Sequence, residues 1–383
     1  MTASPSSSSL GVSRRREILI NGRFLCQRAT GVQRVSREFT VAADRLLAEG
    51  AFPGLGMRLV APVGADFASL GLCCITTEHL GGGTGYYWEQ VALPRRARAA
   101  QLLCLGNSAP LLPMLQGKRV AVMLHDQAYR LFPDDYTLPY RIVHAIVERL
   151  ILHRARPLFT VSETERAAIR ATNPGIPLKI VVAANGAWIN DDEISAPPSK
   201  ALRTGGFGLY VGGFSARKNF ERVFQAALEL AARGVPFRFV GEPNARSEAL
   251  LAAATDEARR LIRFTGYVDN DALAALYRDA AFLLYPSLYE ASGLPPSEAM
   301  TFGCPVIVSD LPVMHERCGG AALFCDPHDW RTFVAAALRI VDDPDVAVDL
   351  SRRGRAWVQQ FSWRNQAIAI IEAMEADPRQ VGT

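Results

Sequence analysis

The sequence predicts an α/β fold of two sequential doubly wound units, each with a parallel sheet. Three observations carry this. Short apolar runs recur along the chain without polar alternation, the pattern of strands covered on both faces. Amphipathic helical patterns separate those runs. The alternation stops once, in the polar stretch "NDDEISAPPSKALRTGG" at 190–206, which holds two prolines and ends on two glycines, and then begins again. A chain of 383 residues is too long for one compact core and suits two domains of ordinary size.

Residues 1–13 begin "MTASPSSSS" and read as a disordered tail. The first unit, 14–196, has strands at "EILIN" (17–21), "MRLVAP" (57–62), "LLCL" (102–105), "RVAVML" (119–124), "LFTV" (158–161) and "KIVVA" (179–183). Its clearest helices are "VQRVSREFTVAADRLLAEG" and "LPYRIVHAIVERLILHRA". The second unit, 202–362, has strands at "FGLYVG" (207–212), "FRFVG" (237–241), "IRFTG" (262–266), "AFLLYP" (281–286), "PVIVSD" (305–310) and "AALFCD" (321–326). The helix "NFERVFQAALELAARG" stops at Gly234, the residue type favoured just past a helix end. In open α/β sheets ligands sit beyond the carboxyl ends of strands, so two such units facing each other make a cleft.

Composition narrows the class. Apolar residues make up 49% and charged residues 21%, as in an ordinary globular chain. No apolar run approaches the roughly 18 residues of a membrane-spanning helix. Arg14, Arg15 and Arg16 before "EILI" imitate the start of a signal peptide, but the apolar stretch is too short for one. Seven cysteines without a C-x-x-C pair argue against a zinc site or a disulfide framework and predict reduced, mostly buried thiols in a cytosol. Charge is uneven. Residues 1–197 carry 22 Lys and Arg against 16 Asp and Glu, whereas 198–383 carry 20 against 22. A basic first half suits an anionic partner or an anionic membrane surface; a solvated face with no partner explains the same count. Nucleic acid is not among the expected partners.

Two stretches could do chemistry. "YEASGLPPSEAM" (289–300) follows the strand "AFLLYP". Pro295 and Pro296 suit a first helical turn, where a missing N–H loses nothing. The amides of Ser292, Gly293 and Leu294 would then face an anion at a helix start, flanked by Glu290 and Glu298 as acceptors for vicinal hydroxyls. In the bland reading Glu298 only offsets the helix dipole and Glu290 is solvated. "YVGGFSARKNF" (210–220) is the other stretch: a strand, Gly212 and Gly213, then Arg217 and Lys218 before a helix. Such a turn binds phosphates, although it is neither a Walker A nor a GxGxxG sequence. Together the two supply cations, amides and paired carboxylates at two strand ends, a set that fits a nucleotide sugar.

These stretches resemble the retaining glycosyltransferases of family 4 (group 1), which have the GT-B fold: two Rossmann-like domains facing across a cleft. "YVGGFSARKN" is similar to the family's phosphate-binding stretch, and "GYVDNDALAALYRDAAFLLYPSLYEASGLPPSEAMTFGCPVIVSD" to its longest signature, including the E-x7-E pair. In the first half "NGRFLCQRATGVQRVSREF", "MLHDQAYRLFPDDY", "FTVSETERAAI" and "ANGA" also resemble it, and "FSWRNQAIAIIEAMEA" resembles its closing helix, here over 363–377, which crosses back to the first domain. The family usually has Glu-Gly-Phe-Gly where this chain has Glu290, Ala291, Ser292 and Gly293, so an aromatic of the sugar pocket is missing.

The resemblance implies that Arg217 and Lys218, with Gly213 in the same loop, hold a donor diphosphate. It implies that Glu290 accepts hydrogen bonds from the donor sugar and Glu298 from the ribose. It places phosphate or sugar oxygens on the amides of Ser292, Gly293 and Leu294, and the base against the backbone near Tyr267 and Val268. The Gly31 loop would meet phosphate and acceptor, and Trp88, Glu89 and Gln90 the acceptor side. His125, followed by Asp126, would lie nearest the reacting carbon, so that His125, Lys218 and Glu290 form the catalytic set. The implied reaction moves a hexose from a nucleoside diphosphate sugar, GDP-mannose first, to a saccharide or lipid-linked acceptor, with retention and with no metal or cofactor. The implied place is the cytoplasm, peripheral to the inner face of the membrane. A nucleotide-sugar epimerase of the same fold and a non-catalytic nucleotide-sugar sensor remain as alternatives.

Overall fold

The computed structural model describes residues 16–28, 30–97, 100–176, 179–188 and 206–376. The expected tail at 1–13 and, Gly206 apart, the expected linker at 190–206 lie outside these residues.

The described strands form two parallel sheets. The first comprises β1 (Arg16–Asn21), β2 (Leu55–Pro62), β3 (Thr76–Leu80), β4 (Gln101–Cys104), β5 (Val120–Met123), β6 (Leu158–Thr160) and β7 (Ile180–Val182), in the order β3-β2-β1-β4-β5-β6-β7. The second comprises β8 (Phe207–Val211), β9 (Phe237–Val240), β10 (Ile262–Gly266), β11 (Ala280–Tyr285), β12 (Val306–Ser309) and β13 (Leu323–Cys325), in the order β10-β9-β8-β11-β12-β13. Both are doubly wound, and each order reverses once: between β1 and β4, and between β8 and β11. At such a point neighbouring strands send their following segments to opposite faces, which opens a crevice at the carboxyl ends. Registers such as Ile18↔Gln101 and Gly208↔Phe282 fix where those ends fall.

One strand was not anticipated. β3, "TTEHL", has no apolar run, and its residues are exposed or only half-buried. It is an edge strand defined by its backbone pairing to β2, a property that side-chain hydrophobicity does not report.

The core explains how the units are tied. The helix Gly31–Ala48 covers the first sheet through Val35, Phe39, Ala43 and Leu46. The last helix, Trp363–Glu375, packs beside it, with Trp363, Ala367, Ile370, Ile371 and Met374 buried in the same cluster as Ile18 and Ile20. Each large apolar side chain so buried contributes about 1.5–3 kcal/mol. The helix Trp363–Glu375 is thereby anchored on the first sheet, beside β1. Of the seven cysteines four are buried, while Cys26, Cys73 and Cys74 are exposed.

Polar contacts also cross between the sheets. The Arg317 guanidinium, buried in the second unit, donates to the carbonyls of Asn185 (2.7 Å) and Gly186 (2.8 Å) just beyond β7. Glu316 accepts the Glu163 and Thr164 amides at 2.7 and 2.9 Å, so a second-unit carboxylate sits on the N-terminus of the first-unit helix Glu163–Thr172.

Candidate active site

The segment after β8 is pinned from several sides. Asn219, the N-cap of the helix Phe220–Ala232, has φ of +58°, a conformation that asparagine tolerates. Its side chain donates to the carbonyls of Pro286 (2.9 Å) and Pro327 (2.7 Å), which ties this loop to the end of β11. The Tyr210 hydroxyl donates to the Gly213 carbonyl at 2.7 Å. No atom lies within 4 Å of where a Cβ on Gly213 would stand, so this backbone is open to a ligand. Gly241, after β9, is the reverse case: a Cβ there would stand 2.2 Å from the Gly212 oxygen. Gly241→Ala is therefore expected to displace the Gly212 turn and to cost about 2 kcal/mol or more, as a denaturant melt would show.

The segment after β11 closes against that loop. The Leu288 amide donates to the Arg217 carbonyl at 2.9 Å. Lys218 forms a short ion pair with Glu290 and donates to the Tyr285 hydroxyl at 2.9 Å, while that hydroxyl donates to Glu290 at 2.7 Å. Burial pushes the Glu290 carboxyl up, but Lys218 and then Arg217 more than offset it and hold it below the usual carboxylate range. Burial draws the Lys218 ammonium below its ordinary value, with Glu290 opposing. Gly293 caps the helix Leu294–Thr301 with φ of +66°, and Pro295 and Pro296 follow in its first turn.

Glu298 lies in the next turn and is buried. One of its oxygens is bound by Arg34 at 2.7 Å and the other by the Tyr277 hydroxyl at 2.8 Å. Arg34 comes from the first-unit helix Gly31–Ala48 and lies 4.9 Å from the Trp188 ring centre. A carboxylate oxygen accepts more than one hydrogen bond, so Glu298 keeps capacity for a hydroxyl, but it is anchored across the units before any ligand is considered.

The first unit supplies the facing wall. His125 follows β5 and is buried; its ring bonds the Leu105 carbonyl through Nε2 at 2.7 Å, which puts the proton on that nitrogen. Burial lowers its pKa, with Leu105 opposing, so the ring is neutral at pH 7. Asp126 caps the following turn through the Ala128 amide at 3.3 Å. A small, open pocket lies here, lined by Asn107, Leu124, Asp126, Tyr129, Tyr136, Tyr140, His144 and Glu148. Tyr289, next to Glu290, bridges the units: its hydroxyl donates to Glu165 at 2.9 Å and accepts from the Gln127 amide at 3.4 Å.

Burial lifts the Glu165 carboxyl from 4.5 to about 7, against the Tyr289 hydrogen bond. The folded chain thus keeps a proton that the unfolded chain releases above its ordinary value, and stability falls as pH rises through that window. Glu165→Gln is expected to raise the melting temperature at pH 8 and to shrink the pH slope. Part of the slope remains, because burial lifts Glu38 to about 7 as well. Melts across pH 4.5–8 check this.

The structure gathers Gly213, Arg217, Lys218, Glu290, Ser292, Gly293, Leu294 and Glu298 on the two segments flanking the β8–β11 reversal. A Cβ on Gly31 would stand 4.0 Å from the Leu294 side chain, so the two units' loops meet there. Tyr267 and Val268 follow β10, the outermost strand; Tyr267 is exposed and Val268 packs on the core. Trp88 and Glu89 do not line the cleft, which corrects the expectation for them. Trp88 is buried with its indole N–H on the Leu80 carbonyl at 2.8 Å, and Glu89 is buried against Asn21 (2.6 Å), Ser108 (3.0 Å) and Arg23 (3.3 Å). The sequence reading missed Arg34, Tyr277, Tyr285, Tyr289 and Glu165; only Tyr289, adjacent to Glu290, carried a local signal. Among the described residues, no group of three or more His, Cys, Asp or Glu could hold a metal ion.

Two Rossmann-like domains with facing reversal points define a GT-B architecture. The family model for glycosyl transferases group 1 matches residues 194–357, which take in most of the second unit. It is 32% identical over 236 residues to the O-antigen chain mannosyltransferase B of Escherichia coli, covering 58% of this chain and 61% of that protein. It is 24% identical over 342 residues to the O-antigen chain mannosyltransferase RfbU of Salmonella typhimurium, covering 86% and 92%. The sucrose-phosphate synthase structure from Thermosynechococcus elongatus superimposes with a TM-score of 0.71 at 20% identity, covering 96% of this chain and 99% of that one, which is a likeness of fold.

Proposed function

We propose that the protein transfers a hexose, with retention, from a nucleoside diphosphate sugar to a hydroxyl of a growing saccharide or lipid-linked acceptor in polysaccharide biosynthesis. Mannose from GDP-mannose is the first choice of donor, a choice supported by the two O-antigen mannosyltransferases it resembles. One observation carries the reading: Lys218, Arg217 and Glu290 converge at the β8–β11 reversal beside the helix start at Gly293.

In the proposed reaction the diphosphate takes over Lys218 and Arg217, and the released Glu290 accepts bonds from sugar hydroxyls. This exchange keeps every buried charge compensated, which a low-dielectric site requires. As the glycosidic bond breaks, negative charge grows on the leaving phosphate. The two cations and the amides of Gly293 and Leu294 stabilise it there without reorganisation, and no step calls for a metal ion. Glu298 takes the ribose hydroxyls. His125, neutral and fixed by Leu105, positions the sugar from the opposite wall. With donor bound, Glu290 is occupied by the sugar hydroxyls and the Tyr285 hydroxyl, which favours attack on the same face, assisted by the departing phosphate, over a covalent intermediate. Trapping a glycosyl group on Glu290 would overturn that route.

The test is donor turnover, with GDP-mannose and UDP-hexoses, in the presence and absence of a saccharide acceptor. Acceptor-dependent release of the nucleotide and an NMR-assigned retained anomer are expected. Donor breakdown independent of acceptor, or binding without turnover, would contradict the proposal.

A further inference from the structure

Ser292 stands two residues past Glu290 and just before the helix start at Gly293. Where the glycosyltransferases this chain resembles carry an aromatic, a hydroxyl is placed. That hydroxyl accepts a hydrogen bond from the Asn185 side-chain amide at 2.9 Å. Asn185 lies just beyond β7, so the bond crosses from the first unit to the second. The residues flanking Ser292 keep the crossing close, because Ala291 and Leu294 both pack on the first unit's core.

Buried neighbours set the direction of that bond. Gln366, on the last helix, has its amide nitrogen 3.2 Å from the Ala183 carbonyl and 2.7 Å from Oδ1 of Asn185. A carbonyl only accepts, so Ala183 fixes which end of the Gln366 amide is nitrogen. That nitrogen fixes Oδ1 of Asn185, and Nδ2 is left to face Ser292. Arg317 holds the Asn185 backbone by donating to its carbonyl. Asn185 and Gln366 are 2% and 1% exposed, so turning either amide over would set oxygen against oxygen with no water to relieve it. A serine hydroxyl has one proton and two lone pairs. Asn185 occupies a lone pair of Ser292, and among the described residues nothing accepts the proton. Ser297, in the helix that follows, differs: it donates to the Leu294 carbonyl at 2.8 Å and accepts from Arg317 at 3.0 Å.

We propose that Ser292 donates this proton to a hydroxyl oxygen of the donor hexose, with Asn185 as the positioning residue that turns it there. The first unit thereby takes part in choosing the donor sugar. The proposal rests on the reading of this site as a nucleotide-sugar pocket. A sugar hydroxyl offers both a proton and lone pairs. Glu290, as a carboxylate, takes the proton but has nothing to give the lone pairs. Ser292 supplies that missing donor from the same segment, and it is only half-buried, so a ligand reaches it. A site built to bond a particular hydroxyl discriminates against a sugar that lacks it.

The test compares kcat/KM for the parent donor, GDP-mannose or the UDP-hexose that the wild type turns over, with its monodeoxy analogues, each lacking one sugar hydroxyl. Ser292→Ala is expected to lose about tenfold on the parent. On one analogue it should lose nothing further relative to wild type, while on the others the tenfold loss persists. Asn185→Asp should give the same pattern with the serine still in place. An aspartate held ionised beside Arg317 only accepts, so it draws the Ser292 proton away from the sugar. If Asn185→Asp does not fold, Ser292→Ala decides alone. An equal loss on the parent and every analogue would assign the hydroxyl to a phosphate oxygen and overturn the proposal. No loss on any donor would overturn it as well, as would a folded Asn185→Asp with wild-type ratios. Each of these leaves the proposed function standing, whereas a wild type that turns over no nucleotide sugar would end both.

Discussion

Lys218→Ala is expected to lower turnover by about 10²–10³-fold, the usual consequence of removing one pre-placed donor to a developing negative charge. It should also cost stability, on the order of 3 kcal/mol, because Glu290 is left buried without its main counter-charge. The two effects can be separated. In the double variant Lys218→Ala/Glu290→Gln the stranded charge is gone, so stability should recover in a chemical melt while turnover does not. A double variant that regained both would mean that Lys218 serves only to neutralise Glu290.

Glu298→Ala is expected to raise the donor KM by about tenfold or more, the range for a lost charged hydrogen bond, with a smaller change in kcat. The ribose does not react, so its contact is made equally in the ground and transition states. Arg34 complicates the variant, since it loses its carboxylate across the domain boundary. Arg34→Ala should therefore be measured alongside. If Glu298 acts through the nucleotide, the KM effect of Glu298→Ala persists in the Arg34→Ala background. If it vanishes there, Glu298 matters only as a link between domains.

Most of the strand plan was legible because it depends on apolar runs, and both sheets bury both faces. β3 was not, because an edge strand needs only a neighbour's backbone, and "TTEHL" carries no apolar signal. The segments around Lys218 and Glu290 were legible as glycine- and proline-marked turns at strand ends, features set by local geometry. Their partners were not. Arg34 reaches Glu298 and Tyr289 reaches Glu165 across more than a hundred residues of sequence, and nothing near either residue announces the meeting. Trp88 and Glu89 misled for a related reason: a charged residue between polar and aromatic neighbours reads as surface, yet Asn21, Arg23 and Ser108 converge to satisfy Glu89 inside the fold.

The central claim is that leaving-group oxygens lie between the Arg217–Lys218 turn and the Gly293 helix start. A crystal structure with GDP tests it most directly. The account predicts a β-phosphate within hydrogen-bonding distance of the Lys218 ammonium and the Leu294 amide, with Lys218 drawn off Glu290. A nucleotide bound elsewhere, or a phosphate that leaves the Lys218–Glu290 pair untouched, would contradict it.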